Sequence, residues 1–189
     1  MDSISYEQFG VNFVTAAVSP ERVKSAIADV SGDTVDVGPM PAGPGGIATA
    51  KATGEIGAVE VHRIEGPTLK FQAKLPIDLQ LEVTVAAVPQ RYEGLVEVPL
   101  LLTVHTVAPL TLLIEIKPVV PRDITVKLES SGLGAGVLQR VGNIDDEVRK
   151  QVAQVVNERV GFDEAKASRE IDVHVLIEEA MAAERAEAP

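Results

Sequence analysis

Leu69 opens a seventeen-residue stretch, LKFQAKLPIDLQLEVTV, in which every odd-numbered position is apolar and every even-numbered one is polar or proline. A period of two marks a strand with one buried and one wet face. Ordinary strands run about five or six residues, whereas this one would extend about 55 Å at ~3.3 Å per residue. Lys70, Lys74, Asp78 and Glu82 all fall on its polar face. Such a strand belongs in an antiparallel sheet covered on one side only.

The chain reads as β from Gly46 to about Ser130. IATAKATGEI and AVEVHRI are candidate strands, broken at Gly54 and Gly57, and the long strand covers 69–87. VPQRYEG reads as the turn that follows it. LVEVPLLLTVHTV then aligns Val96, Val98, Leu100, Leu102 and Val104 on one face. LTLLIEIKP aligns Leu110, Leu112, Ile114 and Ile116, and DITVKLES aligns Ile124, Val126 and Leu128. Strands in succession without intervening helices predict an antiparallel meander. Pro76 is expected to form a bulge where the long strand bends. Residues 31–46, with GPMPAGPGG, read as a loop.

Helical spacing flanks this sheet on both sides. Phe9, Phe13, Val14 and Val18, then Val23, Ala26, Ile27 and Val30, suggest a helix over 6–30 in two pieces. Ser19-Pro20 marks the fresh start. NIDDEVRKQVAQVVNERV carries Ile144, Val148, Val152, Val155, Val156 and Val160 on one stripe. Asn143 is its expected cap, with Asp145/Arg149 and Asp146/Lys150 at i,i+4 spacing. SREIDVHVLIEEAMAAERAEAP reads as a further helix docking through Ile171, Val175 and Leu176. The resulting division is a domain over 1–162 and a helical C-terminal tail over 163–189.

Chemistry is hard to find in this sequence. There is no cysteine, so thiolate chemistry and cysteine-held zinc are excluded. His62, His105 and His174 lie in different elements without ligand spacing. The glycines of GPGG and GLGAG match neither a P-loop nor a dinucleotide fingerprint. No G-x-S-x-G is present. A net charge of −11 and few aromatics (four Phe, two Tyr, no Trp) argue against a nucleic-acid partner. No apolar run reaches the ~18 residues of a membrane span, so stable membrane insertion is not expected. The N-terminal MDSISYEQFG lacks the features of a signal peptide, and a cytoplasmic location is expected. The reading is therefore non-enzymatic, without metal or cofactor.

The functional weight falls on the aliphatic face. Phe71, Leu75, Ile77, Leu79, Leu81 and Val83 of the long strand are the candidate wall of a hydrophobic site. Val98, Leu100 and Leu102 extend that wall, and Val148, Val152 and Val155 cover it from the valine-rich helix. Apolar grooves are the default small-molecule sites, so the expected partner is a lipid or fatty-acid-like ligand.

The order of N-terminal helix, Pro/Gly loop, long antiparallel strands and valine-rich helix resembles one module of the tubular lipid-binding superfamily, which includes SMP domains and BPI-like proteins. The resemblance rests on SPERVKSAI, GPMPAGPGGIATAKATGEIG, the strand 69–85 and VLQRVGNIDDEVRKQVAQVVNERV, and covers about residues 5–160. It implies an α+β fold with a long, highly curved antiparallel sheet wrapped around a long C-terminal helix. It also implies non-catalytic lipid binding or transport, often as a homodimer. The alternative is a START-like helix-grip fold, some of whose members are polyketide cyclase-type enzymes. That fold needs GVNFVTAAV to be a strand. A third use of the same face is a homodimerisation or docking seam that holds no ligand.

Overall fold

The computed structural model describes residues 3–28, 32–130, 144–161 and 170–187. Its class is α+β, with an antiparallel sheet strongly curled into a half-barrel and a few helices. The spine is one hairpin. β4 (Lys70–Val85) pairs with β5 (Val88–Val107) without interruption, from Lys70↔Thr103 to Val85↔Val88. The turn is Ala86-Ala87, with φ of 47° and 64°. Two positive φ values make the tight turn whose twist matches its strands. The turn expected at VPQRYEG is therefore displaced, and residues 88–94 begin β5 instead. Pro89 and Gly94 are turn-type residues, whereas two alanines carry no turn signal.

Each spine strand changes its outer partner half-way, so the sheet is no simple meander. β4 pairs with β3 (Glu60–Ile64) over 70–74 and with β2 (Ala48–Ile56) over 77–85. β5 pairs with β7 (Thr125–Ser130) over 92–97 and with β6 (Thr111–Ile116) over 102–107. Pro76 stands in the first gap and Pro99 in the second. A strand residue points its N–H and C=O to the same side. The Pro76 carbonyl accepts from the Gly57 N–H at 2.9 Å, so the missing N–H of Pro76 also faces the β2/β3 break. Leu101, two residues from Pro99, accepts from the Lys117 N–H at 2.9 Å on the β6 side. Each proline thus sits where no ladder donor is required. The register runs straight through Pro76, and the bulge expected there is absent.

A bulge does occur in β1 (Thr34–Ala42), the strand beside β2. Residues 31–46 are thus not all loop: the Pro/Gly segment contributes an edge strand, a position where proline is tolerated. The register shifts between Val37↔Ala52 and Met40↔Ala50, at Gly38 with φ of 96°. One extra residue switches the inward parity from Val35 and Val37 to Met40 and Ala42. That switch hides the strand from any search for strict alternation.

Small and large side chains alternate across the concave face. One row reads Val35, Gly54, Leu79, Gly94 and Leu128 across β1, β2, β4, β5 and β7. A Cβ on Gly94 would lie 2.5 Å from Leu128 Cδ2 and 2.6 Å from the Lys127 carbonyl oxygen. One on Gly54 would lie 2.6 Å from Ile77 Cγ2. Such alternation lets a tightly curved sheet fill its interior.

The N-terminal reading of two helices holds: α1 spans Tyr6–Ala17 and α2 spans Pro20–Ala28. The Ser19 hydroxyl accepts from the Arg22 N–H at 3.3 Å, as a cap should. The strand that the helix-grip alternative needs over residues 10–18 is not present.

The valine stripe forms α3 (Ile144–Gly161), which touches both β1 and β7. Ile144, Val148, Val152, Ala153 and Val156 are buried. Two polar clips hold this helix to the chain between β6 and β7. Asn157 donates to the Val119 carbonyl at 2.9 Å and accepts from its N–H at 2.8 Å. Arg149 Nε donates to the Ile124 carbonyl at 3.1 Å. The ion pairs formed are i,i+3, Arg149–Asp146 at 2.7 Å and Lys150–Glu147 at 3.6 Å, in place of the expected i,i+4 pairs. Asn143, the expected cap, lies outside the described residues.

A single long C-terminal helix gripped by the sheet is not observed. The C-terminal segment instead supplies a strand and a second helix, β8 (Glu170–Asp172) and α4 (Val173–Glu187). β8 pairs with β6, and Ile171 sits opposite Leu112 in that strand, not on a helix. Asp172 ends the strand, since its carboxylate accepts from the N–H groups of His174 and Val175 at 2.9 and 3.3 Å. That cap starts α4 and stops it from extending backwards.

Candidate ligand groove

The expected wall residues lie in the packed interior. Phe71, Leu75, Ile77, Leu79, Leu81 and Val83 are buried, as are Val98, Leu100, Leu102, Val148 and Val152. Val155 is partly buried against the same cluster. The sheet face and the helix stripe belong to one buried hydrophobic cluster.

An open apolar groove lies at the other end of the hairpin. Its volume is about 530 Å3, and its lining comes from four sources. The α1–α2 joint gives Phe13, Ala16, Ala17, Val18, Arg22 and Val23; β6 gives Ile114; β8 gives Ile171; α4 gives Val173, Leu176 and Ile177. None of the twelve expected wall residues lines it. Val18, Val23 and Val173 form its buried floor. Phe13 (39% exposed), Ile177 (45%) and Leu176 (52%) form its open walls. The volume is within the roughly 300–1,000 Å3 of small-molecule sites.

The local sequence explains these positions. Ser5 caps α1 by accepting the Gln8 N–H at 3.1 Å, and Phe9 and Phe13 stack one turn apart with centroids 6.4 Å from each other. No α1 residue is buried. The helix is held at its C-terminal end, where Val18 and Val23 enter the core. On the far wall, the β8 pairing and the Asp172 cap aim the first turn of α4 at the groove. Two groove residues, Ile171 and Leu176, carry apolar signals legible as docking positions in the sequence. The pairing of the α1–α2 joint with α4 across the groove had no sequence signal, because it joins the two ends of the chain.

Arg22 is the charged group among the described lining residues. Its Nη1 donates to the Ala17 carbonyl at 2.9 Å, at the end of α1. Neighbouring Glu21 has its carboxylate held by its own backbone N–H and by the Ser19 side chain, which keeps its pKa below the usual carboxylate range.

Two other surface depressions are polar. One, beside the start of α3, contains the Arg149–Asp146 and Lys150–Glu147 pairs; the other contains Arg91, 3.4 Å from Glu82. Exposed pairs of this kind contribute little. Among the described residues, no cluster of His, Asp or Glu could hold a metal ion. His105 pairs across strands with Glu115 at 2.8 Å, and His174 pairs with Glu178 at 3.3 Å. The glycine-rich GLGAG lies outside the described residues. No helix among the described residues is long and apolar enough to cross a membrane.

No family model matches this chain, and no curated protein matches it.

Proposed function

We propose that this protein binds a lipid or another long hydrophobic ligand in the groove between the α1–α2 joint and α4, holding or transporting it without chemistry. The observation that carries this reading is the groove's composition: ten of its eleven described lining residues are apolar, and Phe13, Leu176 and Ile177 stay half-exposed among the described residues. Burial at about 25 cal/mol per Å2 of apolar surface would supply the affinity. A single tubular lipid-binding module is the architecture this reading implies. The curled sheet and the contact of α3 with both β1 and β7 support that assignment.

Native mass spectrometry of gently purified protein tests the proposal. A bound mass that organic extraction removes is the expected result. Clean apoprotein that also fails to take up Nile red would sink it. The same spectrum weighs the competing use, a homodimer seam through this apolar face. A dimer free of added mass, dissociated by Ile177→Glu, is the outcome that favours the seam.

A further inference from the structure

We propose that the groove's ligand is a single-chain carboxylate, a long-chain fatty acid whose headgroup is held by Arg22. This rests on the groove being the ligand site and assigns its chemistry. Three observations carry it.

The first is charge placement. In a chain of net charge −11, the charged side chain among the described lining residues is a cation at the groove's exposed rim. The hydrogen bond to Ala17 holds the guanidinium beside the groove and uses one of its five N–H donors. Arg22 has no carboxylate partner among the described residues, and Glu21 is engaged with Ser19. A guanidinium with free donors matches a carboxylate in planar, two-pronged geometry.

The second is charge number. One guanidinium balances one negative charge. A carboxylate carries one, whereas a phosphate monoester carries about 1.5 to 2.

The third is size. The groove's volume of about 530 Å3 lies in the lower half of the roughly 300–1,000 Å3 of small-molecule sites. That suits a ligand with one acyl chain better than a diacyl lipid, which carries two.

The test is displacement of Nile red, a neutral reporter, from the full chain by hexadecanoate and by methyl hexadecanoate. The acid should bind about tenfold more tightly than the ester, the order of one charge-assisted hydrogen-bonded contact. Arg22→Gln should bring the acid down to the ester's affinity, and Arg22→Lys should fall between. Ile177→Glu should weaken both ligands. Equal affinity for acid and ester in the unmodified protein overturns the proposal while leaving the groove as the ligand site. Tighter binding of hexadecyl phosphate than of hexadecanoate overturns the carboxylate assignment. Binding of neither ligand removes the groove reading and this one with it. Arg22 also caps α1, so the acid-to-ester ratio in the unmodified protein decides the matter even if Arg22→Gln fails to fold.

Discussion

At the turn end of the β4–β5 hairpin, β1, β2 and β7 flank the spine, and α3 lies against both β1 and β7. At the open end, β3, β6 and β8 flank it, and α2 and α4 take the place of α3. The strand count is the same and the outcome differs. α3 comes with a continuous stripe of valines and two polar clips to backbone, so the turn end is filled. The open end is covered by two chain termini that approach from opposite sides and leave the groove between them. A curled sheet, then, makes a concavity at both ends, and the covering helix decides whether that concavity becomes packed core or open groove.

Core truncation should break the contrast most clearly. Leu81→Ala, at the turn end, should cost about 3 kcal/mol in urea unfolding, because the fully buried site cannot collapse. Leu176→Ala, at the open end, should cost under about 0.5 kcal/mol, as surface changes do. Equal costs would mean that the open end is as tightly packed as the turn end.

Glycine replacement separates the halves next. Gly94→Ala should destabilise by about 2 kcal/mol, since a backbone carbonyl and Leu128 must both shift. Gly10→Ala meets nothing within 4 Å inside α1 and should add about 0.8 kcal/mol of helix propensity. The gain should appear as slower amide exchange in α1, with little change in global unfolding, if α1 opens independently of the core.

The clip on α3 can be removed alone. Asn157→Ala orphans both the N–H and the carbonyl of Val119, with an expected cost of about 2 kcal/mol. Fluorescent fatty-acid binding at the open end should survive that change.

Titration gives the gentlest probe. Tyr92 is buried on the inner face of the turn end, and burial raises its phenol above the ordinary value near 10. The folded state therefore keeps its proton to higher pH than the unfolded state. Its contribution is complete below about pH 10 and is lost as pH rises through the folded value. The urea midpoint should be flat in this respect from pH 7 to 9 and fall above pH 10, and Tyr92→Phe should flatten that fall.

Local periodicity made much of the turn end legible. The alternation from Leu69 to Val85 became β4 with its odd positions from Phe71 to Val83 buried, and Ile144, Val148 and Val152 became the buried stripe of α3. Proline and glycine are less legible because their meaning is relational. Pro76 and Pro99 are gap markers only once β2, β3, β6 and β7 have taken their places. Gly38 conceals β1 by shifting its parity. Ala86 and Ala87 turn the chain although nothing in their chemistry asks for it, because the long ladder on either side imposes the turn.

The groove is hard to see in the sequence for the same reason. The long alternating face is the strongest apolar signal in the chain, and its residues are buried in one cluster with the α3 stripe. The residues left over, Phe13, Leu176 and Ile177, belong to weaker patterns at the chain ends.

What the sequence determined by itself is the long one-sided sheet and the helices beside it, because period-two and helical patterning are properties of neighbouring residues. Which apolar surface stays open was decided by the tertiary structure alone. Hydrophobic burial is non-directional, so only the meeting of segments far apart in the chain settles which faces are used up and which remain.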